Sequence, residues 1–200
     1  MSEENSLRTA EVRRTTAETD IRLTLALDSE GAFTGTTGIG FFDHMLALFA
    51  AHGRMTLNVD CSGDLHVDGH HTVEDVGVCL GQALADALGE KKGIHRYGVA
   101  YVPMDESLAR AVVDLSGRAH CVAVAEVAMH RLGDFDVELA WEFFRALSNV
   151  GKFNLHLDLL RSGNTHHAVE ACFKAVARAL AEACAVDSAR EDVPSTKGVL

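Results

Sequence analysis

A short histidine-rich segment occurs once in each half of this chain. The first copy reads His70-His71-Thr72-Val73-Glu74, and the second reads His166-His167-Ala168-Val169-Glu170. Each copy opens a stretch with the apolar spacing of a long amphipathic helix. A single copy would be typical of a helix that merely has an acidic first turn. Two copies at matching positions instead predict an internal duplication.

The spacing inside each copy favours metal binding. Residues three and four apart share a helix face, so Glu74 can meet His70 or His71. Adjacent histidines diverge by about 100°, so one small ion cannot easily take both. We therefore expect two metal ions, each bound by one histidine of a pair and completed from elsewhere. The segments do not match the His-Glu-x-x-His or His-x-x-Glu-His signatures of zinc hydrolases.

The order of the predicted elements repeats in the same way. Apolar periodicity and turn residues predict strand, strand, helix, strand, helix twice, with helices at 41–52, 72–88, 137–149 and 168–185. Residues 34–40 are predicted to be a loop, Gly53 to end the first helix as its C′ residue, and a further strand to run from the turn at Arg118 to about Glu126. The fold class is therefore α+β, a duplicated β-β-α-β-α half with two small, mostly antiparallel sheets flanking a four-helix layer. We expect residues 1–93 and 94–200 to be the two halves of one compact domain.

Charge and composition exclude several classes of partner. The net charge is −11 and no basic stripe is visible, which argues against nucleic acids and anionic membranes. No apolar run is long enough to span a membrane, and residues 1–10 lack the apolar core of a signal peptide. The five cysteines form no Cys-x-x-Cys and are interpreted as small buried side chains in a reducing compartment. A cytoplasmic protein with a core of mostly Ala, Val and Leu is expected.

Outside the two histidine-rich segments, the sequence pattern indicates positions for several further polar residues. The 41–52 helix is apolar apart from Asp43, His44 and His52, and two such histidines favour a site over ordinary core positions. The register of the duplication sets His44 opposite Glu142. Pattern alone interprets Glu18, between the first two strands, as a solvated acid at a sheet edge.

Seven short segments occur here in one order and together resemble the imidazoleglycerol-phosphate dehydratase family of histidine biosynthesis. They are residues 41–46, 68–75, 93–98, 103–106, 114–118, 166–170 and 195–198. The resemblance covers roughly residues 8–200 and leaves nothing over for the phosphatase domain that some members carry in fusion. It implies a homo-oligomer of twenty-four subunits, with active sites between subunits, two Mn²⁺ ions per site and a small phosphorylated imidazole as substrate.

The resemblance also implies roles for individual residues. The metal ligands that it implies are His44, His70, His71, Glu74, Glu142, His166, His167 and Glu170. Some members have His at position 142, and a carboxylate there suits Mn²⁺ at least as well. The substrate contacts that it implies are Glu18, His44, His52, Arg96, Arg118, Ser195, Thr196 and Lys197, of which Glu18 and His52 are the catalytic candidates. Without it, Arg96 and Arg118 would be ordinary turn residues and the tail would be predicted disordered. Asp105 and Glu106 look equally functional, but no role is assigned to them.

The reaction implied is loss of water from imidazole glycerol phosphate to give imidazole acetol phosphate, which makes the enzyme a carbon–oxygen hydro-lyase. The hydrogen that must leave has no neighbouring carbonyl and is not acidic. Our hypothesis is that a metal-bound imidazolate first expels hydroxide and gives a diazafulvene-like intermediate, which then loses a proton. Glu18 is the first candidate for the group that takes this proton, and His52 or an ion-bound water is the second.

Two other functions remain open at this point. A dinuclear metal hydrolase acting on a phosphate ester would use a metal-bound hydroxide. A non-catalytic metal-binding protein would have no need of Arg96, Arg118 or Lys197.

Overall fold

The computed structural model describes residues 8–128 and 130–200. The described chain contains the elements β1 (Thr9–Thr15), β2 (Thr19–Ala26), β3 (Ala32–Thr36), α1 (Gly40–Gly53), β4 (Thr56–Gly63), α2 (His70–Leu88), β5 (Tyr97–Met104), β6 (Ser107–Asp114), β7 (His120–Val124), β8 (Arg131–Leu132), β9 (Phe135–Asp136), α3 (Glu138–Gly151), β10 (Asn154–Arg161) and α4 (Thr165–Cys184). Most of the segment in which a signal peptide was excluded, residues 1–7, lies outside the described residues. Within the described ranges, no helix combines the length and apolarity that a membrane crossing requires.

Two four-stranded sheets have the same topology. Their strand orders are β1-β2-β4-β3 and β5-β6-β10-β7. In each sheet one pair is parallel, β3 with β4 and β7 with β10, and the other pairs are antiparallel. The predicted α+β class and duplication are confirmed, although each half is a β-β-β-α-β-α unit.

The extra strand in the first half corrects the sequence prediction. Residues 34–40 were predicted to be a loop, but Ala32–Thr36 is strand β3, which lies at the edge of its sheet beside β4. Gly35 has a φ of 96°, and a Cβ there would lie 1.9 Å from the carbonyl oxygen of Val59. An edge strand with this close approach carries Gly and Thr in place of apolar alternation, which explains why the pattern failed. The short β8–β9 hairpin was also not predicted.

The ends of α1 and α3 repeat one local structure. Gly53 was predicted to follow α1 as a left-handed C′ residue, but it is the last helical residue, and Arg54 is left-handed with a φ of 51°. Lys152 does the same after Gly151 at the end of α3. Added Cβ atoms at the two glycines would crowd the side chains of Met55 and Phe153, at 2.6 and 2.8 Å. These glycines are therefore needed for close packing, and the left-handed turn is made by the next residue.

The four helices form the middle of the molecule. Helix α2 packs on β1 and β2 and against α3, while α4 packs on β5 and β6 and against α1. The predicted inward residues of α2 and α4 are buried. The expected Ala, Val and Leu core needs one correction, because seven of the nine phenylalanines are fully buried. Phe143 lies at the centre, with ring centroids 5.3 Å from Phe42 and 5.4 Å from Phe173.

The close packing of β5 on α4 gives a stability prediction. A Cβ at Gly98 would lie 1.9 Å from the carbonyl oxygen of Ala179, whereas a Cβ at Gly40 would have no atom within 4 Å. Gly98→Ala should therefore destabilise the fold by about 2 kcal/mol or more, since overpacking forces backbone to move. Gly40→Ala is the matched control and should be neutral. Chemical denaturation of both variants measures the difference, and equal stabilities would contradict the packing described here.

Candidate metal and substrate site

Helix α1 is set in place by Asp43. Its carboxylate accepts hydrogen bonds from the backbone N–H and hydroxyl of Thr37, at 2.8 and 2.6 Å, and from the hydroxyl of Thr36, at 2.7 Å. These bonds join the end of β3 to the first turn of α1. They fix the helix one residue before His44.

The first ligand cluster contains His44, His166 and Glu170. Their nearest ligand atoms all lie within 4.8 Å of one another. The Oε2 atom of Glu170 is 3.3 Å from Nε2 of His166 and 3.8 Å from Nε2 of His44. The other oxygen of Glu170 pairs with the ammonium of Lys174, one helical turn further along α4. One carboxylate oxygen therefore faces two imidazole nitrogens while a lysine holds the other.

Glu170 is buried, and only 6% of the residue is exposed. Burial tends to raise the pKa of its carboxyl, but the hydrogen bond and charge of Lys174, together with His166 and His44, lower that pKa below its usual value. The carboxylate is therefore ionised at neutral pH, as a metal ligand must be.

The second cluster surrounds His71. Its Nδ1 atom lies 3.0 Å from Oδ2 and 3.3 Å from Oδ1 of Asp64, and its Nε2 atom lies 3.6 Å from Oε1 of Glu18. The hydrogen bond with Asp64 raises the pKa of His71. Glu18 thus lies beside the ring nitrogen that Asp64 does not occupy. This contact differs from the solvated acid that the strand pattern predicted, although half of the Glu18 side chain is exposed.

The turn that carries Glu18 is anchored to α2. The Thr19 hydroxyl donates to Oδ2 of Asp75 at 2.6 Å, and Nε of Arg14 donates to Oδ1 of the same carboxylate at 3.0 Å. The backbone N–H of Asp64 donates to the carbonyl of Glu18 at 3.0 Å. Strand β1, strand β2 and the start of α2 are therefore joined around Glu18.

The third cluster is the counterpart of the second in the other half. Nδ1 of His167 lies 3.2 Å from Oε2 of Glu106 and 3.8 Å from Oδ2 of Asp105. The other oxygen of Glu106 accepts the backbone N–H of Asn164 at 2.6 Å. That bond, followed by a further backbone bond and the one with His167, lowers the pKa of Glu106 to about 2. The side chain of Asn164 caps α4 by accepting from the backbone N–H groups of His166 and His167.

The remaining predicted ligands are less closely grouped. Nε2 of His70 lies 4.0 Å from Oε2 of Glu74, one turn along α2. Glu142 forms an ion pair with Arg145 on α3. Within residues 8–128 and 130–200, neither of the groups of three or more ligand atoms includes His70, Glu74 or Glu142.

Five of the predicted substrate contacts meet at an open cavity of about 610 Å³, where the C-terminal tail returns to the start of β5. The lining includes Arg96, Arg118, Ser195, Thr196 and Lys197. The structure thus brings five of the eight predicted substrate contacts together, whereas Glu18, His44 and His52 do not line this cavity. None of the predicted metal ligands lines this cavity.

The two arginines of the cavity differ in what they bind. Arg96 is fully engaged, because Nε and Nη2 donate to Asp114 at 2.7 and 3.2 Å and Nη1 donates to the carbonyl of Pro194 at 2.7 Å. Nη1 of Arg118 donates to the carbonyl of Ser116 at 3.4 Å, and among the described residues no ion pair joins Arg118 or Lys197 to a carboxylate. Arg96 therefore ties the tail to the end of β6, whereas the charges of Arg118 and Lys197 could hold an anion.

His52 lies in the last turn of α1, in a separate hollow that is lined by Arg54 and Arg178 among others. Partial burial lowers the pKa of His52, and the charges of Lys174 and Arg178 lower it further. The imidazole is therefore neutral at pH 7 and can accept a proton.

Comparison with known proteins decides the family. The sequence profile described as imidazoleglycerol-phosphate dehydratase matches residues 37–180. The chain belongs to the imidazoleglycerol-phosphate dehydratase family. The family that the seven sequence segments indicated is thereby confirmed.

Relatives with this name span the whole chain. The imidazoleglycerol-phosphate dehydratases of Lacticaseibacillus casei and Heliobacterium modesticaldum are 55% and 56% identical over 97% of this chain and 100% of their own length. The crystal structure of the enzyme from Staphylococcus aureus has a TM-score of 0.81 and 41% identity, covering 89% of this chain and 99% of that one. The enzyme from Pyrococcus furiosus, solved in complex with (S)-C348, has a TM-score of 0.80 and 34% identity, covering 94% of this chain and all of that one.

Sequence reasoning missed three partners of the dehydratase-family residues. Asp64 and Lys174 were not identified as contacts of these residues, and Glu106 had no assigned role. One signal for Glu106 was present, since Glu18 and Glu106 each directly precede the second strand of their half. Lys174 follows Glu170 by one helical turn, a spacing that favours an ion pair. Nothing in the sequence marks Asp64.

The neutral state of His52 can be tested by removing one of the charges that lower its pKa. Arg178→Gln should raise the pKa of His52 toward its ordinary value, because one of the two neighbouring cations is lost. Titration of the His52 ring signal by NMR measures the shift. Arg161→Gln, which changes the same charge elsewhere, should leave it unmoved, and an unchanged pKa in Arg178→Gln would contradict the assigned cause.

Proposed function

We propose that this chain removes water from imidazole glycerol phosphate to give imidazole acetol phosphate, as a cytoplasmic enzyme of histidine biosynthesis. The observation that carries the proposal is the full-length similarity to enzymes named imidazoleglycerol-phosphate dehydratase, at 54–56% identity. The three histidine–carboxylate clusters and the cavity with unpaired cations supply the two kinds of binding that such a substrate needs. Metal ions held by the histidine–carboxylate clusters would bind the imidazole ring of the substrate. The cations of the cavity would bind its phosphate.

The cofactor we propose is a pair of Mn²⁺ ions per active site. The donor set fits, since imidazole nitrogens and carboxylate oxygens both suit this ion, and Oε2 of Glu170 already faces two Nε2 atoms. The residues that would hold the ions are His44, His70, His71, Glu74, Glu142, His166, His167 and Glu170. When bound, the ions would act as Lewis acids that orient the substrate ring and draw electron density from its nitrogens.

We infer that complete sites form between subunits of a large homo-oligomer, of the twenty-four subunits that the family resemblance implies. Within the described part of one chain, two sets of three side chains bring their ligand atoms close enough to share an ion. Each set includes one histidine of the second pair, and neither includes His70 or His71. The anion cavity is likewise lined by none of the ligands. Residues from neighbouring subunits would bring these parts to one substrate.

The phosphate would be held at the tail. Arg118 and Lys197 lie at the cavity without a carboxylate partner in residues 8–128 and 130–200, and Ser195 and Thr196 add hydroxyl groups. Arg96 acts through the tail, because its guanidinium binds the carbonyl of Pro194, one residue before Ser195. A phosphate fixed in this way orients the carbon chain of the substrate relative to its ring.

Glu18 would carry the proton. The reaction breaks a C–OH bond next to the ring and a C–H bond on the following carbon, and the resulting enol becomes the ketone. Once hydroxide has left the carbon next to the ring, the Glu18 carboxylate can take the proton from the following carbon, and the hydroxide and that proton together account for the water that is lost. Its position beside Nε2 of His71, on an exposed turn held by Asp75, suits this role. The neutral imidazole of His52 is the second candidate.

The function is tested by following products with and without metal. Purified protein supplied with Mn²⁺ and imidazole glycerol phosphate should form the ketone product without releasing inorganic phosphate. Chelation should abolish turnover, and added Mn²⁺ should restore it, because the substrate ring is held through the ions. Assays of ketone and of free phosphate on the same samples measure both outcomes.

The same assay separates the competing functions. Release of phosphate would support a metal-dependent phosphoester hydrolase. Metal binding without either product would support a non-catalytic metal-binding protein. Either result would overturn the dehydratase proposal.

The proton carrier is tested by Glu18→Gln. The variant should lower kcat by about 10²–10⁴-fold, since an amide cannot carry the proton, while its Mn²⁺ content stays at the wild-type level. Glu30→Gln removes the same charge from another exposed carboxylate and should keep full activity. Normal turnover in Glu18→Gln would remove this residue from the mechanism.

A further inference from the structure

The second histidine of each pair meets a carboxylate through the same ring nitrogen. Nδ1 of His71 lies 3.0 Å from Asp64, and Nδ1 of His167 lies 3.2 Å from Glu106. The two carboxylates come from different places in the fold. Asp64 lies between β4 and α2, whereas Glu106 lies in the turn between β5 and β6. Because unrelated segments supply this contact in the two halves, it is not a simple consequence of the duplicated backbone.

The contact determines which nitrogen of each ring is free. An ionised carboxylate can only accept hydrogen bonds, so the proton of a neutral imidazole must lie on the Nδ1 atom that faces it. The Nε2 atom then carries the lone pair. Nε2 of His71 faces toward Glu18 at 3.6 Å, away from Asp64.

Both residues are themselves held in place, Glu106 through its side chain and Asp64 through its backbone. Glu106 uses its second oxygen to accept the backbone N–H of Asn164, and a Cβ on the neighbouring Gly163 would lie 2.3 Å from its Cγ. Asp64 is bound through its backbone N–H to Glu18 and through its carbonyl to the N–H of Val67. Only 17% of its side chain is exposed. Groups fixed in this way can orient an imidazole ring rather than follow it.

We propose that Asp64 and Glu106 are positioning residues that hold His71 and His167 in the Nδ1–H tautomer, so that Nε2 is the atom that binds the ion. This inference rests on the proposed metal function. Outer carboxylates of this kind fix the orientation of a ligating histidine and increase its basicity.

The assignment separates two carboxylates that the duplication makes equivalent. Glu18 and Glu106 both directly precede the second strand of their half. Glu106 occupies the Nδ1 side of its histidine, whereas Glu18 lies on the Nε2 side of His71, because Asp64 already fills the Nδ1 side. Glu18 is therefore left available for the substrate, and Glu106 is not.

The test measures Mn²⁺ affinity by titration calorimetry on protein stripped with a chelator. In Glu106→Gln, the amide oxygen can keep the bond from Asn164, which leaves an N–H donor facing Nδ1 of His167 and moves the ring proton to Nε2. This variant and Asp64→Asn should each bind Mn²⁺ about 10–100-fold more weakly. The unfolding midpoint of the stripped protein should remain at the wild-type value. Glu30→Gln and Asp134→Asn are the controls of matching chemistry and should bind like wild type.

A double-mutant comparison separates positioning from a general structural effect. In a His71→Ala background, Asp64→Asn should cause no further loss of Mn²⁺ affinity, because the ring that it orients is gone. An equal loss in both backgrounds, or wild-type affinity in both single variants, would overturn the proposal and leave the metal function standing. A wild-type protein that binds no Mn²⁺ would overturn both.

Discussion

The candidate site depends on a carboxylate that is buried and ionised at the same time. Burying a lone carboxylate costs several kcal/mol unless charges and hydrogen bonds compensate it. Glu170 meets this condition through Lys174 on its own helix and through two imidazoles, one of which comes from α1. The packing of α1 against α4, with Phe42, Phe143 and Phe173 between the helices, is therefore what brings His44 to Glu170.

Sequence periodicity predicted the parts of the fold in which local and tertiary preferences agree. Both long helices with buried faces were found, because an apolar stripe on a helix must be covered by another element. Strand β3 was missed because its sequence lacks the apolar alternation of a strand with a buried face. Its glycine is needed where the backbone at Gly35 lies close to the carbonyl of Val59. The left-handed turns at Arg54 and Lys152 were missed for a similar reason, because the preceding glycines serve packing and not the turn.

The candidate site shows the same division. Helical spacing left either histidine of a pair within reach of its glutamate, and the structure selects His166 for Glu170. The register of the duplication set His44 opposite Glu142, which instead pairs with Arg145. Spacing along one helix carries no information about residues from other segments, so Asp64 was not identified as a partner of His71. Glu106 was marked only by its place directly before a strand. Helical spacing also does not tell which ring nitrogen of a histidine faces a carboxylate, because that carboxylate comes from a separate loop. The sequence motifs identified the family, and the tertiary contacts show which carboxylate lies beside which histidine.

Duplication makes two halves alike, and the site requires them to differ. The turn before the second strand carries a glutamate in both halves, yet in the second half its two oxygens are taken by Asn164 and His167. In the first half, the Asp64 carboxylate contacts Nδ1 of the histidine in place of Glu18. The backbone N–H of Asp64 donates to the carbonyl of Glu18 and so links the turn before β2 to the segment that leads into α2. One added carboxylate thus takes over the Nδ1 atom of the histidine and leaves Glu18 on the Nε2 side, although the side chains of Glu18 and Glu106 are about equally exposed, at 51% and 48%. The asymmetry of chemistry between the halves is achieved by side chains alone, on a topology that remains the same in both sheets.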